Sequence, residues 1–350
     1  MRINNGFTTL DKFETLRNKL ISSEVPEDLK TKALSMLDIA KLSLKYGQNL
    51  FLVESTEKYI DWIVSLPWRN ESKDILDINY AKNILEKNHY GLTPLKKRIL
   101  EYISILILHK EKNLGPYKGP IIFLVGLAGS GKTTFARSIA EALGREFIRI
   151  PFGGLASSLD LRGQSKLKPE AEPGLIIKGL RKTKVKNPVI LLDELDRVSQ
   201  SVKDEIMGVL LELLDPEQNQ AFVDHYIDYP FDLSQVIFIA TANNSSNIST
   251  AVLDRMEVIR MPSYSDEEKI VIARDYLFPK IRKSAGLDED QLKIEESLWP
   301  KIIRPLGFDP GLRSLKRHIE SIVRTAAYKI VSGEATSFTI TEQNYKEFLK

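Results

Sequence analysis

The stretch Gly119–Ala140, GPIIFLVGLAGSGKTTFARSIA, decides the fold of this chain. The apolar run 121–125 predicts a strand that is buried on both faces of a parallel sheet. A glycine-rich turn follows, and Thr133–Ala140 then places Phe135 and Ile139 four residues apart on one helical face. A strand, a tight turn and a helix in this order predict an α/β fold.

The turn matches the pattern G-x-x-x-x-G-K-[ST] of phosphate-binding loops. Its glycines allow backbone N–H groups to face phosphate oxygens, and the next helix directs its positive end at the same anion. We expect Lys132 to reach the β- and γ-phosphates and the Thr133 hydroxyl to reach Mg²⁺. A purely structural glycine turn is the alternative, and the flanking strand and helix disfavour it. The candidate nucleotide-binding residues are Gly126, Leu127, Ala128, Gly129, Ser130, Gly131, Lys132, Thr133 and Thr134.

Two further apolar strands end in polar residues that suit the same site. The run 189–192 is followed by Asp193 and Glu194. In an ATPase with a phosphate-binding loop, Asp193 would hold Mg²⁺, and Glu194 would orient and deprotonate the attacking water. The run 236–240 leads to Asn243, whose amide can hold that water or touch the γ-phosphate. An asparagine that simply turns a loop is the alternative reading.

Two arginines, Arg255 and Arg313, lie outside the loop motifs. Phosphoryl transfer needs positive charge beyond Mg²⁺ and lysine, often an arginine from another subunit worth about 10³–10⁵ in rate. Spacing alone does not separate such arginines from surface ones in a chain with 50 Lys and Arg.

Length and composition restrict the function classes. The length of 350 residues predicts two or three domains, and the net charge of +3 makes no case for nucleic acid. The basic cluster 178–186 favours a solvated helix end and loop. The absence of cysteine excludes disulfides, zinc–thiolate sites and thiol nucleophiles. Because no apolar run approaches the roughly 20 residues of a membrane helix and residues 1–10 lack a signal-peptide core, we expect a cytoplasmic protein, or one of an organelle matrix.

The chain order predicts a helical N-terminal segment (1–70), an α/β nucleotide-binding unit (71–262) and a helical unit (263–350). Ser265 and Glu268 predict a capping box for one helix of the last unit. Trp62 and Trp68 are interpreted as packing anchors. The predicted strands are 121–125, 147–150, 189–192 and 236–240, with a short strand near the end of the chain. The predicted helices are Leu10–Ser23, Glu27–Leu44, Ser55–Leu66, Asn79–Lys87, Thr93–Lys112, Thr133–Ala140, Asp266–Phe278, Glu296–Leu306, Leu312–Ser332 and a last short helix.

Taken together, these residues make the chain resemble the AAA+ ATPases, and among them the ATPase part of the Lon proteases. The resemblance extends over nearly the whole chain. The segments that carry it are YIDWIVSLPW (59–68), HYGL (89–92), GLAGSGKTT (126–134), LLDELDR (191–197), LLDPEQN (213–219), FVDHYIDYPFDLS (222–234) and LDRMEVI (253–259).

The resemblance implies a fold, a nucleotide and residue roles. The fold would be an α/β P-loop NTPase of the AAA+ type with a parallel sheet, preceded by a helical segment and followed by an α-helical lid, with ATP and Mg²⁺ bound. Asn243 would be sensor 1, Arg255 the arginine finger of a neighbouring subunit's site, and Arg313 sensor 2. His89 and Tyr90 would lie near the adenine.

A finger supplied to a neighbour implies a ring, and the resembled family forms homohexamers. Such proteins unfold protein substrates with ATP and feed them to a serine–lysine peptidase, which serves ATP-dependent proteolysis and protein quality control. One difference from that family is expected at the end of this sequence, because Lys350 lies where the family's peptidase domain would begin. By the same resemblance, we expect only the helical segment next to the ATPase here, without that family's large N-terminal domain. We therefore expect that this chain alone does not cut peptide bonds.

The substrate-facing loops depart from the family as well. Between Gly163 and Pro173 the family carries an aromatic–aliphatic–glycine trio, and this chain has Lys168, Pro169 and Glu170 instead. The segment of the second pore loop reads KDEI at 203–206. An aromatic side chain grips polypeptide by apolar contact, which a lysine beside a proline does not reproduce. Neighbouring Leu167 taking over this contact is the alternative.

Three functional hypotheses follow. The first is the ATPase module of a Lon-type protease, whose peptidase is removed or lies on another chain. The second is a stand-alone ATPase of Lon descent that remodels or regulates one protein partner. The third is a non-hydrolysing scaffold subunit, against which the presence of Glu194, Asn243, Arg255 and Arg313 argues.

Overall fold

The computed structural model describes residues 9–46, 50–303 and 312–348. Its α-helices are α1 (Thr9–Ser22), α2 (Glu27–Lys45), α3 (Leu50–Ser65), α4 (Ile78–Asn88), α5 (Thr93–Glu111), α6 (Lys132–Leu143), α7 (Leu159–Arg162), α8 (Leu175–Thr183), α9 (Lys203–Leu214), α10 (Thr250–Leu253), α11 (Asp266–Val271), α12 (Phe278–Ser284), α13 (Trp299–Ile303), α14 (Arg313–Val331) and α15 (Tyr345–Phe348). Its strands are β1 (Ile121–Val125), β2 (Phe147–Pro151), β3 (Val189–Asp193), β4 (Phe222–Val223), β5 (Pro230–Phe231), β6 (Ile237–Ala242), β7 (Met256–Arg260), β8 (Leu292–Ile294) and β9 (Phe338–Ile340).

A five-stranded sheet in the order β2-β3-β6-β1-β7 forms the centre of the molecule, and its paired strands are all parallel. Strand β1 lies between β6 and β7, so its carboxyl end opens at a point where the chain order reverses. Ligands of open α/β sheets bind at such points. The α/β fold with a parallel sheet is confirmed. The predicted strand 121–125 has the observed bounds of β1, and the other three predicted core strands are present with ends shifted by one or two residues.

Strand β7 is missing from the prediction. It forms the edge of the sheet and pairs with β1 on one side. Its sequence, MEVIR, buries Met256 while Glu257, Val258 and Arg260 stay partly or largely exposed. Because an edge strand does not need apolar residues on both faces, it lacks the continuous apolar run that identified the other four.

The two faces of the sheet pack against different helices. Phe123 joins a core with α1–α3, α8 and α9, whereas its neighbours Ile122 and Leu124 join a second core with α4, α5 and α6. This alternation follows from the two-residue period of side chains along a strand. The N-terminal helices therefore share a continuous core with the sheet.

Trp62 and Trp68 pack at the junction between the N-terminal helices and the sheet. The Trp62 ring lies 6.5 Å from the Tyr226 ring, and the Trp68 ring lies 5.1 Å from the Phe231 ring. Both are thus packing anchors, as the sequence suggested. Helix α3 begins five residues before its predicted start at Ser55.

The basic cluster 178–186 contacts the same N-terminal region. Arg181 forms an ion pair with Asp61 and lies 4.1 Å above the Trp62 ring, and Lys186 forms an ion pair with Glu71 at 3.0 Å. The expectation of a solvated helix end is therefore wrong for these two residues, because carboxylates and an aromatic face from residues 61–71 neutralise and cover them.

The C-terminal part has its own core. The predicted capping box at Ser265 and Glu268 is confirmed, but the helix continues as a π-helical segment, Ile272–Leu277, and as α12 to Ser284. Helix α14 and the short pair β8–β9 complete this core. The predicted helix Glu296–Leu306 appears as a 3-10 turn and α13, and residues 304–306 lie outside the described residues. The domain limits 1–70, 71–262 and 263–350 stay a prediction.

Candidate nucleotide-binding site

The glycine-rich turn between β1 and α6 needs its glycines for two different reasons. Gly129 and Gly131 have φ of 82° and 94°, a region that other residues rarely adopt. A Cβ on Gly126 would lie 2.7 Å from the carbonyl oxygen of Met261, so only glycine fits against the end of β7. The loop therefore packs directly on the sheet edge, and its backbone is fixed in shape.

Lys132 is the buried cation of this loop, with 7% of its surface exposed. Its Nζ donates to the carbonyl oxygens of Gly126 (2.5 Å) and Leu127 (3.0 Å) and to Oδ1 of Asn243 (3.2 Å). Burial lowers the pKa of Lys132 from its usual value, and nearby carboxylates oppose this change. The predicted lysine and the predicted asparagine thus meet at one point.

The other residues of the loop take distinct positions. Leu127 and Ala128 are exposed, and the Thr134 hydroxyl donates to the carbonyl oxygen of Gly131 at 2.7 Å. Ser130 is 1% exposed, and its hydroxyl has no hydrogen-bond partner within the described residues. A buried hydroxyl normally has a partner, so Ser130 is suited to a further polar group at the loop.

Asp193, at the end of β3, is the centre of a polar network. It is 2% exposed, accepts from the Thr241 hydroxyl at 2.5 Å, and lies 3.4 Å from the Thr133 hydroxyl through either carboxylate oxygen. Thr241 belongs to β6 and Thr133 to α6, so two neighbouring strands and the helix after the phosphate loop contribute to this point. A carboxylate and a hydroxyl at such a distance form an oxygen donor pair of the kind that Mg²⁺ prefers.

Glu194 has a strained backbone, with φ of 59° in the left-handed region. Its N–H donates to the Thr241 hydroxyl at 3.0 Å, and its carboxylate lies 3.4 Å from Nε of Arg197. A non-glycine residue in this region costs about 1–3 kcal/mol and persists only where its surroundings impose it. Glu194 thus marks the point at which the chain leaves β3 and enters the 3-10 turn Leu195–Arg197.

Sequence reasoning missed Arg149 of β2, whose Nε lies 2.6 Å from the Asp193 carboxylate. The arginine side chain is 49% exposed, whereas that of Asp193 is 2% exposed. One charged residue inside the otherwise apolar strand FIRIP was the available signal.

The C-terminal part of the chain, which is the predicted lid (263–350), contacts the phosphate loop at the start of α14. The backbone N–H of Leu312 donates to the carbonyl oxygen of Gly129 at 3.0 Å. Arg313 is the next residue, is exposed, and is close enough for its charge to help lower the pKa of Lys132. The structure thus brings Arg313 to the loop.

Arg255 lies at the opposite end of the sheet. It directly precedes β7, whose first residue, Met256, pairs with Ile121 at the start of β1. The phosphate loop follows the other end of β1, about 17 Å away at roughly 3.3 Å per residue. The Arg255 guanidinium instead contacts the Asp215 carboxylate (3.3 Å) and the carbonyl oxygen of Ala251 (2.9 Å). Arg255 is therefore remote from its own chain's phosphate loop.

His89 and Tyr90 form the turn that covers α6. The His89 ring is 7% exposed, lies 2.9 Å from the Ser138 hydroxyl, and is 4.6 Å from the Phe135 ring. Burial, assisted by the charge of Lys96, lowers the pKa of His89 to about 4. Tyr90 faces Tyr276 of the π-helical segment, with ring centres 6.3 Å apart. The turn thus contacts α6 on one side and the π-helical segment 272–277 on the other.

The loop 163–174 is anchored at its two stems. Its tip residue Leu167 is 83% exposed, and Lys168, Pro169 and Glu170 are exposed as well. The segment 203–206 forms the first turn of α9. Neither segment places an aromatic side chain at its exposed tip.

The residues present fit ATP with Mg²⁺. Backbone N–H groups of a glycine-rich turn, a buried lysine and a helix N-terminus are the elements of a phosphate site. The Thr133–Asp193 oxygen pair beside them suits a Mg²⁺ that takes its remaining ligands from phosphates and water.

Comparison with known proteins agrees with this geometry. Residues 122–264 match the ATPase family associated with various cellular activities (AAA), and residues 283–338 match the Lon protease AAA+ ATPase lid domain. The chain is 42% identical over 346 residues to the Lon protease of Mycoplasma mycoides, with 99% of this chain and 42% of that protein aligned.

Two further relatives of this chain are also Lon proteases. Lon protease 1 of Bacillus subtilis is 41% identical over 337 residues, which are 96% of this chain and 42% of that protein. The mitochondrial Lon protease homolog of Rattus norvegicus is 42% identical over 294 residues, 84% of this chain and 30% of that protein. The chain thus spans about two fifths or less of the length of these relatives. Within the described ranges, none of the helices combines the length and apolarity that a bilayer crossing needs.

Proposed function

Because this chain carries the AAA+ ATPase module of the Lon protease family, with its nucleotide-binding and lid domains, we propose that it binds and hydrolyses Mg·ATP to unfold or remodel polypeptides. The observation that carries the proposal is the meeting of Lys132, Thr133, Asp193 and Asn243 at the carboxyl edge of the sheet. Lys132 and Thr133 begin α6, Asp193 ends β3, and Asn243 directly follows β6, and each suits one part of a nucleoside triphosphate.

The roles follow from position and chemistry. Lys132 exchanges its bonds to loop carbonyls for bonds to phosphate oxygens, which carry full charge and accept more strongly. Thr133 and Asp193 would hold Mg²⁺, which neutralises charge on the phosphates when bound. Glu194 accepts a proton from the attacking water, and Asn243 orients that water or the γ-phosphate.

The two arginines serve different sites. Arg313 adds a cation to the phosphate loop from the lid, so lid position and nucleotide binding are linked. Arg255 cannot reach its own loop, and its place at the far edge of the sheet suits an arginine finger for a neighbouring subunit. We propose that the chain works in a homo-oligomeric ring, with six subunits as in the Lon family.

We propose that the ring feeds unfolded polypeptide to a Lon-type serine peptidase, in ATP-dependent proteolysis and protein quality control. The peptidase would belong to the same protein or to another chain. The cytoplasm is the proposed location, and the mitochondrial name of the rat relative keeps an organelle matrix as the alternative. His89 and Tyr90 are proposed to border the adenine, since their turn lies between α6 and the lid.

One observation favours a second function. The exposed loop tip carries Leu167, Lys168, Pro169 and Glu170 in place of an aromatic paddle. Such a tip suits selective contact with one protein partner better than grip on any polypeptide. A remodeller or regulator with a dedicated partner is therefore the second candidate.

ATP turnover across a concentration series, with and without unfolded casein, tests the proposal. Turnover that rises with chain concentration and with casein supports a ring that threads polypeptide. Concentration-dependent turnover that ignores casein favours the dedicated remodeller. ATP binding without turnover at any concentration contradicts both and leaves a scaffold role for the chain.

A further inference from the structure

The two stems of the loop 163–174 meet on one buried carboxylate, that of Asp224. This side chain is 1% exposed, and it accepts hydrogen bonds from the N–H groups of Gly174 (2.7 Å) and Tyr226 (2.8 Å). A Cβ on Gly163 would lie 2.8 Å from both Asp224 oxygens, so the other stem also closes on this group. Residues 224–229, which we term the anchor segment, thus fix where the loop begins and ends.

The anchor segment is in turn bonded to the N-terminal helices. The Tyr59 hydroxyl of α3, which is buried, donates to the carbonyl oxygen of Ile227 at 2.9 Å. Asp228 accepts from Lys32 of α2 (3.0 Å) and from Lys166 of the loop itself (3.3 Å). One carboxylate therefore ties the loop to the helices.

Helix α3 also contacts both limbs of the loop directly. Lys58 Nζ donates to the carbonyl oxygen of Ala171 at 3.0 Å and lies 3.8 Å from the Glu172 carboxylate. Lys166, on the other limb, places its ammonium 4.5 Å above the Tyr59 ring. These contacts join residues more than 100 positions apart in sequence, and the tip beyond them is exposed.

We propose that Lys58 and Tyr59 of α3 are positioning residues for the loop 163–174. They hold the loop in the orientation in which its tip meets polypeptide. The functional half of this inference rests on the proposed function, whereas the structural half does not. Because linkage is reciprocal, polypeptide contact at the tip and the packing of α3 then stabilise each other. The N-terminal helices would act as the support against which the loop pushes.

Hydrogen exchange of the loop amides in the full chain tests the structural half. The probes are the amides of Gln164, Lys168 and Ala171, each of which is hydrogen-bonded within the loop. Lys58→Ala should speed their exchange about tenfold, since it removes a charge-assisted bond and an ion pair from the loop. Lys58→Arg should restore most of the protection. Tyr59→Phe, which keeps the buried ring, should speed exchange of the same amides through the anchor segment.

Lys41→Ala is the matched control, because Lys41 pairs with Glu14 between α1 and α2 on the same helical unit. It should leave loop exchange within twofold of the wild-type rate. Loop exchange that is unchanged in Lys58→Ala, or that rises equally in Lys41→Ala, overturns the inference.

Casein-stimulated ATP turnover tests the functional half. Lys58→Ala should raise the casein concentration for half-maximal stimulation about fivefold to tenfold, with basal turnover and the maximal rate unchanged. Leu167→Glu alters the tip without touching the support, so it should reduce stimulation while loop exchange stays at the wild-type rate.

These outcomes separate the two proposals. If Lys58→Ala speeds hydrogen exchange of the loop but neither Lys58→Ala nor Leu167→Glu alters casein stimulation, the positioning role of α3 is supported and the polypeptide role of the loop is contradicted. If Leu167→Glu lowers stimulation and Lys58→Ala does not loosen the loop, the proposed function stands and the support fails.

Discussion

The phosphate loop (126–133) follows strand β1, whereas the loop 163–174 joins helices α7 and α8, and the two loops are held in opposite ways. The phosphate loop is fixed at three points along its length, by the packing of Gly126 on Met261, by the bonds of Lys132, and by the backbone bond from Leu312 to Gly129. The loop 163–174 is fixed at its stems, and its tip is largely exposed.

This difference matches two kinds of work. A phosphate is a small, rigid anion, and a preformed set of donors binds it without reorganisation. A polypeptide presents changing side chains, so a firmly supported stem with an adaptable tip suits it. This difference therefore supports the proposed roles, which are nucleotide binding for the first loop and polypeptide contact for the second.

Substitution of the two residues proposed to act on the γ-phosphate, Glu194 and Arg255, should give the largest loss of ATP turnover. Glu194→Gln should lower turnover by about 10²–10⁴-fold and trap bound ATP, since the base is lost while the phosphate contacts remain. Arg255→Ala should lower turnover by about 10³-fold or more. Steady-state ATP hydrolysis measures both, and bound nucleotide is measured after rapid gel filtration.

Mixed rings of these two variants test whether Arg255 acts on a neighbour. An Arg255→Ala subunit retains Glu194, and an adjacent Glu194→Gln subunit can supply its finger. We expect a mixture to recover part of the wild-type turnover. Mixtures with no more activity than the sum of the separate variants would contradict a finger in trans.

Lys132→Ala removes the buried cation of the phosphate loop. ATP affinity should fall by at least about 100-fold, because charge-assisted bonds to phosphate oxygens are worth roughly 1.5–3 kcal/mol each. Equilibrium binding of a fluorescent ATP analogue measures this loss. Hydrogen exchange of the loop 163–174 without nucleotide should not change. A change there would mean that the two loops are not separately held.

His89 should make the support of the phosphate loop sensitive to acid. Folding lowers the pKa of His89 from 6.5 to about 4, so the imidazole binds a proton less tightly in the folded chain than in the unfolded chain. The stabilisation is complete above pH 6.5 and declines as the pH falls toward 4. Between pH 7.5 and 5.0 this loss amounts to about 2 kcal/mol of unfolding free energy.

Urea unfolding at the two pH values measures this loss, with variants that isolate His89. His89→Gln can keep a bond to Ser138 but has no titrating imidazole. Between pH 7.5 and 5.0 its unfolding free energy should therefore fall by about 2 kcal/mol less than that of the wild type. His225→Gln is the control, since His225 is exposed on the anchor segment. Equal acid sensitivity of wild type and His89→Gln would exclude this role.

Much of the phosphate loop and of the buried strands around it was predictable from sequence, for a physical reason. Strands buried on both faces and loops that need glycine at positive φ allow few residue types, so the phosphate loop and the end of β3 left clear patterns. The edge strand β7 allows polar residues and was missed. The ion pairs of Arg181 and Lys186 were missed because their partners lie more than 100 positions away. Arg149 was missed because spacing does not show which carboxylate an arginine meets.

Arg149→Gln should give the smallest effect and would sharpen the comparison within the phosphate site. Its guanidinium holds the Asp193 carboxylate at 2.6 Å, so it competes with a divalent cation for that oxygen. Removal of the competitor should raise the apparent Mg²⁺ affinity about threefold to tenfold in a Mg²⁺ titration of bound fluorescent ATP analogue. Arg197→Gln is the control, since Arg197 pairs with Glu194 and not with Asp193. An unchanged or weaker Mg²⁺ dependence in Arg149→Gln would show that Arg149 supports Asp193 instead of competing for it.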